Sequence, residues 1–110
     1  MSEPIILKLA GRLDTARVGD IETGFYAQAG AVKDAGIVLI DMREVDFLSS
    51  LGIRLILSTA KLLGRRSVKV GIVNSRAANV VEALTVAGIA EIIPGFESEE
   101  AAVAGLGGAE

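Results

Sequence analysis

The chain has 110 residues, 51% apolar and 23% charged, which suits one globular domain with a buried core. It contains no His and no Cys, so a Ser-His-Asp triad, a Cys nucleophile and a His/Cys zinc site are all excluded. A net charge of −3 with only 4% aromatic residues argues against a nucleic-acid face, which needs cations and stacking platforms.

Taken in order, Ile5–Ala10 is a short apolar run and is expected to be a strand, with Gly11-Arg12-Leu13-Asp14-Thr15 as the turn after it. Asp14 or Thr15 can cap the next helix with a side-chain oxygen. From Ala16 to Ala35 the apolar residues Val18, Ile21, Phe25, Ala29 and Val32 fall three or four apart, the spacing of one helical face, and Gly36 supplies a stop. Ile37–Ile40 is a continuous aliphatic run, as a strand covered on both sides should be. Asp41 to Leu48 is expected to be a loop, with Val45 and Phe47 turned inward. Ser49 or Ser50 caps a second helix, whose stripe is Ile53, Ile56, Leu57, Ala60 and Leu63, widened by Leu55 and Leu62 and ended by Gly64. Lys61, Arg65 and Arg66 suit the negative end of its dipole.

Val68–Val73 reads as the next strand, Asn74-Ser75 as turn and cap, and Ala77–Ala87 as a third helix stopped by Gly88. Ile89–Ile93 is expected to be a short strand halted by Pro94-Gly95, and Glu97–Ala104 a last helix. Alternating strands and helices predict an α/β domain over residues 1–104. Its sheet should be mostly parallel and four-stranded, mixed pairing remaining open, with about four helices. Residues 105–110 are expected to form a flexible tail. No apolar stretch is long enough to span a bilayer and no signal-type segment opens the chain, so a cytoplasmic protein without membrane insertion is expected.

Three stretches resemble the STAS domain of bacterial anti-sigma factor antagonists. They are Leu9-Ala10-Gly11-Arg12-Leu13-Asp14, then Val38-Leu39-Ile40-Asp41 followed by Val45-Asp46-Phe47-Leu48-Ser49-Ser50-Leu51-Gly52, and finally Val68–Asn74 with Val80–Leu84 and Ala87-Gly88-Ile89. The second is similar to the family's "hhhDh…hxFhDSSGh" motif. The resemblance places the family's phosphorylated serine on Ser50 and its glycine on Gly52. Ser49 stands where the family most often has Asp, which makes Ser49 the second candidate for the modified hydroxyl. Leu51 stands where a second Ser or Thr is common.

The resemblance implies a partner-switching protein and not an enzyme. Unphosphorylated, it would bind an anti-sigma factor with serine-kinase activity, and phosphorylation of Ser50 would release it until a phosphatase resets it. Asp14, Asp46, Ser49, Leu51, Gly52, Ile53 and Arg54 are the expected partner-binding residues. The reading needs no cofactor and no metal. Asp41 and Asp46 are two carboxylates without a third ligand, which is thin support for magnesium, so they are expected to be solvated loop residues. A mean hydropathy of +0.52 leaves a homodimer open. The alternative is a STAS subunit of a transporter or lipid-transport complex that is never phosphorylated. A hydrolase built on Ser50 lacks its histidine, and a phospho-receiver reading fails because Asp41 has no paired acidic neighbour.

Overall fold

Strand β1 (Ile5–Leu13) leads through helix α1 (Thr15–Gly30) to β2 (Ile37–Leu48), and α2 (Ser50–Gly64) leads on to β3 (Lys69–Val73). Helix α3 (Ala78–Val86), a 3-10 turn over Ile89–Glu91, β4 (Gly95–Phe96) and α4 (Glu99–Gly107) complete the order. This computed structural model describes residues 4–107. Among them the sheet has four strands in the order β1-β2-β3-β4, and every pair is parallel. Neighbouring parallel strands joined through helices are what the alternation predicts.

β2 is the spine, and it is three times the length of the run expected for it. Residues Asp41–Leu48, expected as loop, continue the strand. The reason is irregular pairing. Nine residues of β1, Ile5–Leu13, lie against eleven of β2, Val38–Leu48, with register shifts between Lys8 and Ala10 and between Gly11 and Arg12. Each shift inserts one extra residue in β2, which breaks the period of two and makes a strand look like a charged loop. Gly11 takes a positive φ of 76° at the second shift, where a side chain would be strained. β1 therefore includes Gly11–Leu13, which the sequence reading assigned to a turn.

The core lies between the sheet and α1, α2 and α3. Leu7, Leu9, Val38, Ile40, Met42 and Ile72 from the strands meet Val18, Phe25, Leu55, Ile56, Val80 and Leu84 from the helices. α4 packs on β2 and β3, where Gly71 admits Leu106 closely and Gly107 lies against Ile37. α1 ends at Gly30, earlier than its apolar pattern suggests. Arg66, just beyond α2, donates to the carbonyls of Gly30 and Val32 and pairs with Asp34 at 2.7 Å, so it terminates the neighbouring helix. Leu62 of the expected α2 stripe is half exposed instead of core.

The run Ile89–Ile93 is not a strand. Only Ile89 and Ile93 are buried, four residues apart, which is a helical spacing, and Gly88 enters the turn at a φ of 75°. The fourth strand comes after Pro94, where the Ile72 N–H donates to the Pro94 carbonyl and the Asn74 N–H to that of Phe96, each at 2.9 Å. α4 takes in Gly105–Gly107, where a frayed tail was expected, and residues 108–110 of that tail lie outside the described residues.

Candidate functional site

Three helices begin at one end of the sheet. β1 and β2 finish side by side, Leu13 opposite Leu48, and the Ser49 N–H donates to the Leu13 carbonyl at 2.9 Å. Asp14 and Ser49 then each cap a helix. The Arg17 N–H donates to Asp14 Oδ1 at 2.9 Å, and the Gly52 N–H donates to Ser49 Oγ at 3.2 Å. The start of α3 is tied to the same strand end. Buried Ser75 donates to the Val45 carbonyl at 2.7 Å and accepts the Ala77 N–H, while Asn79 Nδ2 donates to the Asp46 carbonyl at 3.0 Å. Helix N-termini gathered in this way give the surface a locally positive backbone field.

The two serines divide the roles that the sequence left open between them. Ser49 is half-buried and its oxygen serves the cap. Ser50 is the first residue of α2, it is exposed, and its hydroxyl makes no hydrogen bond to the protein among the described residues.

The other expected contact residues are arranged around this turn. Gly52 is buried beneath it, and a Cβ there would meet Leu48 Cδ1 at 2.7 Å and Leu13 at 3.6 Å. Leu51 and Ile53 are half-buried and pack partly on the core, so only part of each is free for a partner. Arg54 and Asp46 are exposed, and Asp14 lies at the end of the adjacent strand.

The sequence reading missed Arg12 and Phe47. They are register partners across β1 and β2, and the Arg12 guanidinium sits 3.9 Å from the Phe47 ring centroid and 3.6 Å from Asp14. Phe47 is half-buried under this cation and not tucked into the core. No signal in the sequence pairs them, because the two extra residues of β2 shift the register that would bring them together.

Asp41 is not a solvated loop carboxylate. It is 2% exposed, and Arg43 grips both of its oxygens at 3.0 and 2.9 Å. The Arg43 side-chain hydrogen bonds hold its pKa below the ordinary aspartate value, burial opposes them, and the Arg43 backbone N–H adds to the lowering. Arg43 also reaches Glu99 on α4 at 2.9 Å. Asp41 thus fastens α4 to the sheet. Among the described residues no three His, Cys, Asp or Glu side chains cluster to hold a metal, and no helix is long and apolar enough to cross a membrane.

The sequence profile of the STAS domain matches residues 2–102. The fold is similar to that of the anti-sigma factor antagonist SpoIIAA in its unphosphorylated form, at 20% identity and a TM-score of 0.76, covering 96% of this chain and 90% of that one. The Bacillus protein SpoIIAA in its phosphorylated form also matches, at 21% identity and 0.65, over 92% and 88% of the two chains. An anti-sigma-factor antagonist STAS protein of Planctomyces limnophilus matches at 26% identity and 0.74, over 86% and 80%. The STAS domain of a SulP transporter from Vibrio cholerae matches at 21% and 0.72, over 98% and 86%. No curated protein sequence matches the chain significantly.

Proposed function

The chain belongs to the STAS domain family, and on that premise we propose that it is an anti-sigma factor antagonist switched by phosphorylation of Ser50. The unphosphorylated form binds an anti-sigma factor with serine-kinase activity and so frees a sigma factor in the cytoplasm. The kinase then transfers the γ-phosphoryl group of ATP to Ser50 Oγ. The new O–P bond forms as the bond to ADP breaks, and the hydroxyl proton passes to a base of the kinase. The antagonist lets go, and a phosphatase restores it. In this cycle the chain is a substrate and not a catalyst.

The observation that carries this reading is the contrast between the two serines: Ser49 caps α2, and Ser50 presents an uncommitted hydroxyl one residue later. Phosphorylation adds about −1.5 to −2 charges. At a helix N-terminus the fold tolerates that charge. A partner lying flat on Ser50, Leu51 and Ile53 does not, because it would bury an unpaired phosphate. Switching then needs no refolding.

The test is phosphosite mapping by mass spectrometry of the protein from its own cells, with and without stress, beside a Ser50→Ala variant. Phosphate on Ser50 that disappears in the variant supports the switch. A chain that stays unmodified in every condition while bound to a partner overturns it.

That second outcome favours the other reading, a STAS subunit that is never phosphorylated and sits in a transporter or lipid-transport assembly. The supporting observation is exposed apolar surface away from Ser50, with Val86 82% and Ile92 57% exposed around the end of α3, as a constant interface would need. Recovery of the unmodified chain with a transport ATPase separates the two.

A further inference from the structure

We infer that the outer edge of β1 is a docking site for an extended acidic-apolar peptide, which adds to the sheet as a further strand. β1 is the end strand of the sheet. It pairs with β2 on one side, and no strand covers its other side among the described residues. Ile5–Lys8 runs in unbroken register with Val38–Asp41, and the two extra residues of the irregular pairing lie in β2. β1 thus keeps an extended edge over Ile5–Ala10, ahead of the positive φ at Gly11, and its outward N–H and C=O groups there form a template for another strand.

Beside this edge runs a groove of about 190 Å³ between β1 and α1. Its apolar wall is Leu9, Leu13, Ile21 and Phe25, and its cations are Lys8 and Arg17. No carboxylate lines it, and neither cation pairs with one among the described residues. Gly24 stands on the α1 side with nothing within 4 Å of where a Cβ would be.

An edge strand flanked by a helix binds a peptide by main-chain hydrogen bonds and sorts its alternate side chains to opposite faces. Here the side chains turned toward α1 meet apolar wall. Those turned the other way meet Lys8, whose neighbours Ile6 and Ala10 are also exposed. The fitting partner alternates aliphatic and acidic residues. A lysine on an edge strand also guards against indiscriminate pairing, and that role is compatible with selection, since it repels cationic strands and admits acidic ones. The site is independent of Ser50.

The probe is the acetylated, amidated hexapeptide Glu-Val-Glu-Val-Glu-Val, with Lys-Val-Lys-Val-Lys-Val as control, titrated into the isotope-labelled protein and followed by amide NMR. Binding at millimolar peptide, the range open to a small contact, is expected to move the amides of residues 5–13 and of Gly24 and Gln28. It should also slow exchange of the β1 amides that do not donate to β2. Lys8→Glu should weaken binding about tenfold through loss and reversal of one surface charge. Gly24→Leu, which replaces a poor helix former where space is open, should fill the groove and abolish binding while the protein stays folded. Ser50→Ala should bind unchanged. The inference is overturned if the outward β1 amides are already protected in the free monomer or the cationic peptide binds equally well. It also fails if shifts fall elsewhere or the free protein dimerises through β1.

Discussion

Ser49 Oγ accepts the backbone N–H of Gly52 at 3.2 Å, and this one bond separates two adjacent serines by role. The cap satisfies a donor that the first turn of α2 would otherwise leave unpaired. The next hydroxyl, on Ser50, is exposed and makes no hydrogen bond to the protein among the described residues.

Ser49→Ala should therefore lower unfolding stability by about 1 kcal/mol, the usual cost of losing a cap. Ser50→Ala should change it by less than about 0.5 kcal/mol. Urea denaturation of both variants measures this directly. In the presence of the kinase, Ser49→Ala should still take up phosphate and Ser50→Ala should not. The reverse pattern would move the modification to Ser49.

A charge at Ser50 should leave the domain folded. Ser50→Asp places a carboxylate in the first turn of α2, where the helix dipole favours it by about 0.3–1 kcal/mol at low salt. The variant is expected to be at least as stable as the parent in low salt and to lose that margin as salt screens it. Its partner binding, read by co-purification, should fall as phosphorylation would make it fall. A Ser50→Asp protein that unfolds would show that the switch acts through the fold and not through the interface.

Gly52 has no room for a larger side chain, because its Cβ position is 2.7 Å from Leu48 Cδ1. Gly52→Val should cost about 1–3 kcal/mol, the range for forcing extra volume into a packed site. Gly52→Ala should cost less. Leu48 can rotate in part, and Ala gains about 1 kcal/mol of helix propensity over Gly. Thermal or urea unfolding of the two variants should give that order.

How far the sequence could be read depended on whether its period stayed intact. The helices α1, α2 and α3 follow from Val18-Phe25, Ile56-Leu63 and Val80-Leu84, all at helical spacing, and the strand cores Leu7-Leu9 and Val38–Ile40 are equally plain. The second half of β2 is hidden because one extra residue moves Val45 out of alternation with Ile40 and a second moves Leu48 back into it, so no single period of two runs through the strand. That loss also hid the meeting of Arg12 with Phe47 and made buried Asp41 look solvated. β4 has two residues, held by Pro94 and Phe96 carbonyls, too short for any pattern to declare it. Ser50 was legible as a helix start, but its separation from Ser49 rests on which oxygen the Gly52 N–H meets.

Asp41 gives the protein a stability term that depends on pH. Its folded pKa lies below the ordinary aspartate value, chiefly because Arg43 donates two side-chain hydrogen bonds to it. A carboxyl depressed in this way contributes stability that is fully present above the ordinary value of about 3.9 and is lost as pH falls through the lower, folded value. Stability from this source should accordingly be flat from pH 7 to pH 5 and decline below pH 4. Asp41→Asn removes the charge, and at pH 7 it should cost about 1–3 kcal/mol, the range for losing hydrogen bonds to a buried charged group. The variant should then show a shallower decline in acid than the parent. α4 reports the same event locally, since Arg43 joins Asp41 to Glu99. Amide exchange in Glu99–Gly107 should quicken in Asp41→Asn more than exchange in α1 does. Equal quickening of both helices would mean that Asp41 supports the whole core, and the role of Arg43 as the fastening between β2 and α4 would have to be abandoned.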